Sequence, residues 1–196
     1  MLTSRQSFLT RFFLLPAILL LSLSAVSFAQ TERGVVPRGT ERFEEWLSKE
    51  VNHQLMLLPW YSVFDNLQYK ISGSEVTLLG HVLNDTTKSA AENRVEQIEG
   101  VTKVHNNIEI LPASPMDDRI RRAAFRAIFR DPVLEMYAQG SVLPVHIIVK
   151  GGHVTLEGAV LNEGHKTLAG TRARSVSGVF SVTNNLRIEN SKTRPS

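Results

Sequence analysis

The chain has 196 residues, a formal net charge of +3, 42% hydrophobic residues and no cysteine. Lack of cysteine excludes disulfide scaffolds, thiol nucleophiles, thiolate metal sites and a lipid-modified cysteine. The charge is unevenly placed: residues 30–113 hold 8 Lys/Arg against 12 Asp/Glu, and residues 114–196 hold 12 against 7. An acidic half joined to a basic half implies that the two face different partners.

Residues 1–29 read as a secretory signal peptide. Arg5 and Arg11 precede the apolar run FFLLPAILLLSLSAVSF, and Ser27 and Ala29 supply the small residues of a cleavage site. Pro16 and several serines interrupt the run, which favours removal over a retained membrane anchor. Cleavage after Ala29 predicts an exported, periplasmic protein of nearly neutral charge, with 20 basic against 19 acidic residues. Residues 30–39 read as a disordered lead.

The first folded element is the helix ERFEEWLSKEVNHQL, whose period places Phe43, Trp46, Leu47 and Val51 on one stripe. The phrase LLPWYSVF follows. Trp60 and Tyr61 within it are either core residues or an aromatic anchor for a protein partner. YKISGSEVTLLG then alternates about Gly73-Ser74 as a hairpin. A two-residue turn sets Ile71 opposite Val76, Tyr69 opposite Leu78 and Leu67 opposite Gly80. A helix over 85–99 ends at Gly100, and a strand carries Val104, Ile108 and Ile110 on one side.

The order then repeats. Beyond a short linker at 112–116, MDDRIRRAAFRAIFR reads as a helix and IIVKGGHVTLEG as a hairpin about Gly151-Gly152. The same turn sets Val149 opposite Val154, Ile147 opposite Leu156 and Val145 opposite Gly158. A helix over 163–177 ends at Gly178, and the last strand carries Val182, Leu186 and Ile188. Residues 190–196 read as a disordered tail. Shifting the chain by 78 residues aligns Val76–Ile110 with Val154–Ile188 without a gap, and 16 of 35 positions are identical. This is a duplication into two modules, 40–111 and 117–189. Each is expected to be α-β-β-α-β: an α/β (α+β) sandwich with a three-stranded mixed sheet and helices on one face. Gly80 and Gly158 fall on that face, where a side chain is expected to hold a covering helix away.

The motif V-T-L-x-G-x-V, an alanine-spaced helix and then G-V-x-x-V-x-N-x-L/I resembles the BON domain. It is Val76-Thr77-Leu78, Gly80, Val82, Gly100-Val101, Val104, Asn106 and Ile108 in the first copy. In the second it is Val154-Thr155-Leu156, Gly158, Val160, Gly178-Val179, Val182, Asn184 and Leu186. Asp131-Pro132 matches a common end of that family's first helix. The resemblance implies a non-enzymatic envelope role, as in osmotically inducible periplasmic proteins, with phospholipid as the suggested ligand.

VHNNIEI and VTNNLRI mark the module rather than a reaction centre. Period two turns Asn106 and Asn184 inward, where an amide must find backbone partners, while His105 faces Thr183 in the repeat and Glu109 faces Arg187. The six histidines form no i, i+4 pair and no cysteine accompanies them, so they read as surface residues and no metal or cofactor is expected. No G-x-S-x-G elbow or Gly-rich phosphate loop occurs, so no enzyme is expected. Function is expected where the copies diverge, on RIRRAAFRAIFR. Arg119, Arg122, Arg126 and Arg130 form a stripe there, with Phe125 and Phe129 at its boundary and Arg121 interrupting the apolar side. Guanidinium groups on phosphates and phenyl rings at the acyl boundary would make this a peripheral site for anionic phospholipid. The plainer reading is a solvated basic face, and the rival function is an envelope adaptor or stress-protective protein with a protein or peptidoglycan-associated partner. Nucleic acid is not an expected partner for an exported chain of near-neutral charge.

Overall fold

The computed structural model describes residues 40–140 and 142–189. The expected signal peptide, lead segment and tail lie outside these residues. Module 1 runs α1 (Glu41–Met56), β1 (Asn66–Ser72), β2 (Glu75–Val82), α2 (Asp85–Glu96), β3 (Lys103–Asn106) and β4 (Glu109–Ile110). Module 2 runs α3 (Pro115–Phe129), a 3₁₀ turn (Glu135–Ala138), β5 (Val145–Lys150), β6 (His153–Val160), α4 (Glu163–Arg174), β7 (Ser181–Asn184) and β8 (Arg187–Ile188).

Each helix starts where a side chain takes over an orphan amide. Thr40, Asn84, Ser114 and Asn162 accept from Phe43, Thr87, Asp117 and His165 respectively. α2 and α4 close three residues earlier than expected, at Glu96 and Arg174. Gly100 and Gly178 therefore sit beyond the helix, at φ +93° and +90°, in the turn that leads to the next strand.

Both hairpins have the register that the two-residue turns dictate, with Ile71 opposite Val76, Leu67 opposite Gly80, Val149 opposite Val154 and Val145 opposite Gly158. β3 and β7 add in parallel to β2 and β6, which makes each sheet mixed. The third strand is broken in each module: β4 and β8 resume its pairing after Asn107-Ile108 and Asn185-Leu186. Helices cover one face, and the two cores centre on Leu47, Val51, Leu78 and Ile108 and on Ile120, Ile128, Leu156 and Leu186.

The motif glycines act differently from the expectation. A Cβ on Gly80 would lie 2.0 Å from the Asn66 carbonyl oxygen, and one on Gly158 would lie 2.0 Å from that of Pro144. Their φ values of +107° and +111° kink β2 and β6 across the incoming strand. They make room for that strand's backbone, not for a helix.

The inward asparagines tie sheet to helix. Asn106 Nδ2 donates to the Lys88 carbonyl and to Glu92, and its Oδ1 accepts from the Ile108 amide. Asn184 likewise donates to Lys166 O at 2.7 Å and accepts from Leu186 N–H. The repeat places Gly170 where the first copy has Glu92, and a Cβ there would lie 2.8 Å from Asn184 Nδ2. One amide thus replaces the missing backbone pairing at the strand break in both copies.

Another tie was not visible beforehand. Glu44, in the first turn of α1, accepts from Gly73 N–H at 2.8 Å. Asp117, in the first turn of α3, accepts from Gly151 and Gly152 at 2.9 and 2.8 Å. Each helix start therefore holds the hairpin turn of its own module by a charge-assisted bond.

The modules are docked on one another. Val63 O accepts from Ile147 N–H at 2.8 Å, Phe64 stacks edge-on to Phe125 at 6.2 Å, and Lys150 pairs with Glu109. The Lys150 ammonium holds the Glu109 carboxyl below the usual carboxylate range. Ile148 and Leu111 are buried although each lies off its module's own core.

Candidate functional site

The basic helix carries the stripe as the 100° spacing requires. Arg119, Arg122, Arg126 and Arg130 are exposed, while Ile120, Ala124 and Ile128 face the sheet. None of the four makes an ion pair or a side-chain hydrogen bond among the described residues. Arg119, Arg122 and Arg126 border a groove of about 430 Å³ whose far side is Ser177-Gly178, the turn after α4. Three unpaired guanidinium groups facing one groove create a positive potential suited to a phosphate-bearing group.

Two expected members of the site are elsewhere. Phe129 is 5% exposed and belongs to the core of module 2. Phe125 is half-buried between Phe129, at 4.9 Å, and Phe64 of module 1. Docking of the first module covers the boundary where these rings were expected to meet lipid. Arg121, which interrupts the apolar side, does not reach solvent. Its guanidinium is buried, donating to Asp118 at 2.5 Å and to the Val149 carbonyl at 2.7 Å.

The exposed aromatic beside the stripe is Phe180, 71% exposed, in the turn between α4 and β7. Its ring lies over Gly152, where a Cβ would meet it at 2.6 Å, and Met116 reaches the same point. Met116 also borders the arginine groove. Phe180 is thus joined to the stripe through an exposed methionine. The duplication carried the signal, since the repeat sets Thr102 against Phe180 and a threonine in that turn has no apolar ring to expose.

Trp60 is exposed, whereas Tyr61 beside it is half-buried. Tyr61 packs on His146 at 5.4 Å between ring centres, with its hydroxyl 3.4 Å from Nε2. Burial pushes the Tyr61 phenol up to about 12, against the Leu67 N–H that favours its anion. His146 is buried rather than on the surface, and its Nδ1 has no partner. Burial lowers its pKa, opposed by the Asp65 and Ser62 carbonyls and by the Asp65 and Glu157 charges.

Asp131, at the end of α3, accepts from Val133 N–H and from Arg172, and both hold it below the usual range. His81 and His105 meet Glu109 and Glu75. No group of three metal-ligating side chains occurs among the described residues. No described helix is long and apolar enough to cross a membrane.

Two copies of one α-β-β-α-β unit, whose motif residues serve turns, strand crossings and an amide tie, define a structural module used in tandem. The chain belongs to the BON domain family, whose model matches residues 44–112 and 117–190. Membership carries that family's association with phospholipid binding and with envelope proteins. A comparison with curated proteins finds no match. Among solved structures the chain is similar to CdsD, a structural protein of the type III secretion system of Chlamydia trachomatis. That likeness has 13% identity over 76% of this chain and 99% of that one, with a TM-score of 0.29. The C-terminal domain of CdsD gives 14% identity, 74% and 98% coverage, and a TM-score of 0.26.

Proposed function

We propose that the protein is a non-enzymatic, periplasmic envelope component whose second module docks reversibly on anionic phospholipid. The observation that carries the reading is the run of four exposed, unpaired arginines on α3 and its C-cap beside an exposed phenylalanine. Arg119, Arg122 and Arg126 take phosphate oxygens in the groove, and Arg130 extends the positive face. Phe180 and Met116, not Phe125 and Phe129, enter the acyl boundary. Each arginine at an anionic surface contributes about 1 kcal/mol, so four give weak, salt-sensitive attachment. A ring at the interface adds a part that salt does not screen.

The test is sedimentation with vesicles of varied anionic content, using wild type and the Arg122→Glu/Arg126→Glu variant. Reversing two charges changes the attraction by about 4 kcal/mol and should abolish binding. Attachment indifferent to both the anionic content and these two side chains would remove the reading. The rival reading, an adaptor for a protein partner, draws on exposed Trp60 at 63% in the acidic module.

A further inference from the structure

β1 and β5 each lie at the end of their sheet and pair with one neighbour, β2 or β6. The residue pairs flanking both two-residue turns, Ser72 with Glu75 and Lys150 with His153, are hydrogen-bonded pairs. Counting back by two, the backbone groups of Leu67 and Tyr69 point away from β2, and those of Val145, Ile147 and Val149 point away from β6. The contacts agree. Ile147 N–H reaches Val63 of module 1, and Val149 C=O receives Arg121.

The Val63 carbonyl, in the segment before β1, accepts the Ile147 N–H of the β5 edge, and beyond this bond the two edges part. Between them opens a cleft of about 780 Å³, with Leu67, Gln68 and Tyr69 on one wall and Pro144 and His146 on the other. Arg187 and Glu157 also border it, and Asn185 holds Glu157 at 2.7 Å. Gln68 and Arg187 have no side-chain partner among the described residues, and Nδ1 of the buried His146 lacks one too. The cleft therefore offers the outward backbone of Tyr69 and the Leu67 carbonyl along β1, a spare amide donor on Gln68 and almost no net charge. An anionic lipid would find one arginine there, whereas an extended peptide matches the free edge of β1.

We propose that this cleft receives an extended, largely uncharged peptide segment of a partner protein. The segment adds as a strand to the edge of β1, beside the point where Val63 bonds to β5. Tyr69 and the Leu67 carbonyl supply main-chain bonds, while Gln68, His146 and Arg187 read its side chains. This site is separate from the arginine groove and stands whether or not that groove binds lipid.

The experiment pans a displayed library of random short peptides on the whole protein. An enriched peptide is then synthesised unmodified and with alternate amides N-methylated. N-methylation should weaken binding at least about tenfold, the ratio set by loss of roughly two net hydrogen bonds. Amide exchange at Tyr69 should slow on binding, while Lys70, already paired to β2, should not change. The proposal is overturned if no sequence enriches, if the N-methylated peptide binds equally, or if protection falls outside β1. A tetramer of N-acetylglucosamine that shifts Gln68 and His146 resonances without slowing Tyr69 exchange would assign the cleft to a glycan and overturn it as well.

Discussion

Phe180→Ala separates the apolar part of membrane attachment from the electrostatic part. The ring is 71% exposed and so contributes little to the core, and its removal should leave the melting curve within about 0.5 kcal/mol of wild type. Full burial of a phenylalanine side chain is favourable by about 1.5–3 kcal/mol. The fraction still exposed here can therefore contribute about 1–2 kcal/mol at the acyl boundary, or roughly a 5- to 30-fold change in partition. The assay is vesicle sedimentation over a salt series. In wild type the arginine contribution should fade with salt while the phenylalanine contribution persists. Phe180→Ala should shift the whole curve down by a constant factor, whereas the arginine reversal should remove its slope. Partition unchanged by Phe180→Ala at every salt concentration, with the charge dependence intact, would refute insertion of the ring.

Asn184→Ala should cost about 2 kcal/mol by orphaning the Lys166 carbonyl and the Leu186 amide, lowering the melting temperature by roughly 4–8 °C. Vesicle binding by this variant should be unchanged, and a loss of binding without a loss of stability would contradict the structural role of the amide. Asp117→Ala should cost about 3 kcal/mol through two charge-assisted bonds to the hairpin turn, and Asp117→Asn should cost less because one acceptor remains. Urea unfolding of both variants checks the order. His146 has a folded pKa below its ordinary value of 6.5, so the unfolded chain takes up the proton first as pH falls. Its contribution to stability is therefore complete above that value and declines below it. Urea midpoints should drop with acid in wild type and drop less steeply in His146→Gln; equal slopes would show that the histidine is not the group responsible.

What could be read beforehand was local. Turn length and alternation determine hairpin register, so the pairs at Gly80 and Gly158 were legible from a dozen residues each. The inward face of Asn106 followed from period two, but its partner, a helix carbonyl, did not. What escaped was contact between modules. A helix wheel places Phe125 and Phe129 on a boundary, yet only the presence of Phe64 decides that the boundary is covered. His146 alternates outward from its own sheet and is buried by Tyr61, which belongs to the other copy. Phe180 was legible in principle, as the residue opposed to Thr102 in the duplication, because an aromatic ring on a tight surface turn has no core to enter.

The segment around Val63 and Phe64 changes what counts as a unit of this protein. By descent the boundary falls at the linker, but Val63 and Phe64 pack on the core of the second copy. A fragment cut at the linker would leave the outer face of β5 and one side of Phe125 bare, a surface prone to self-association. The second copy thus borrows part of its interior from the first. The repeat seen in the sequence and the interior seen in the structure therefore have different boundaries, and the second is set by Val63 and Phe64.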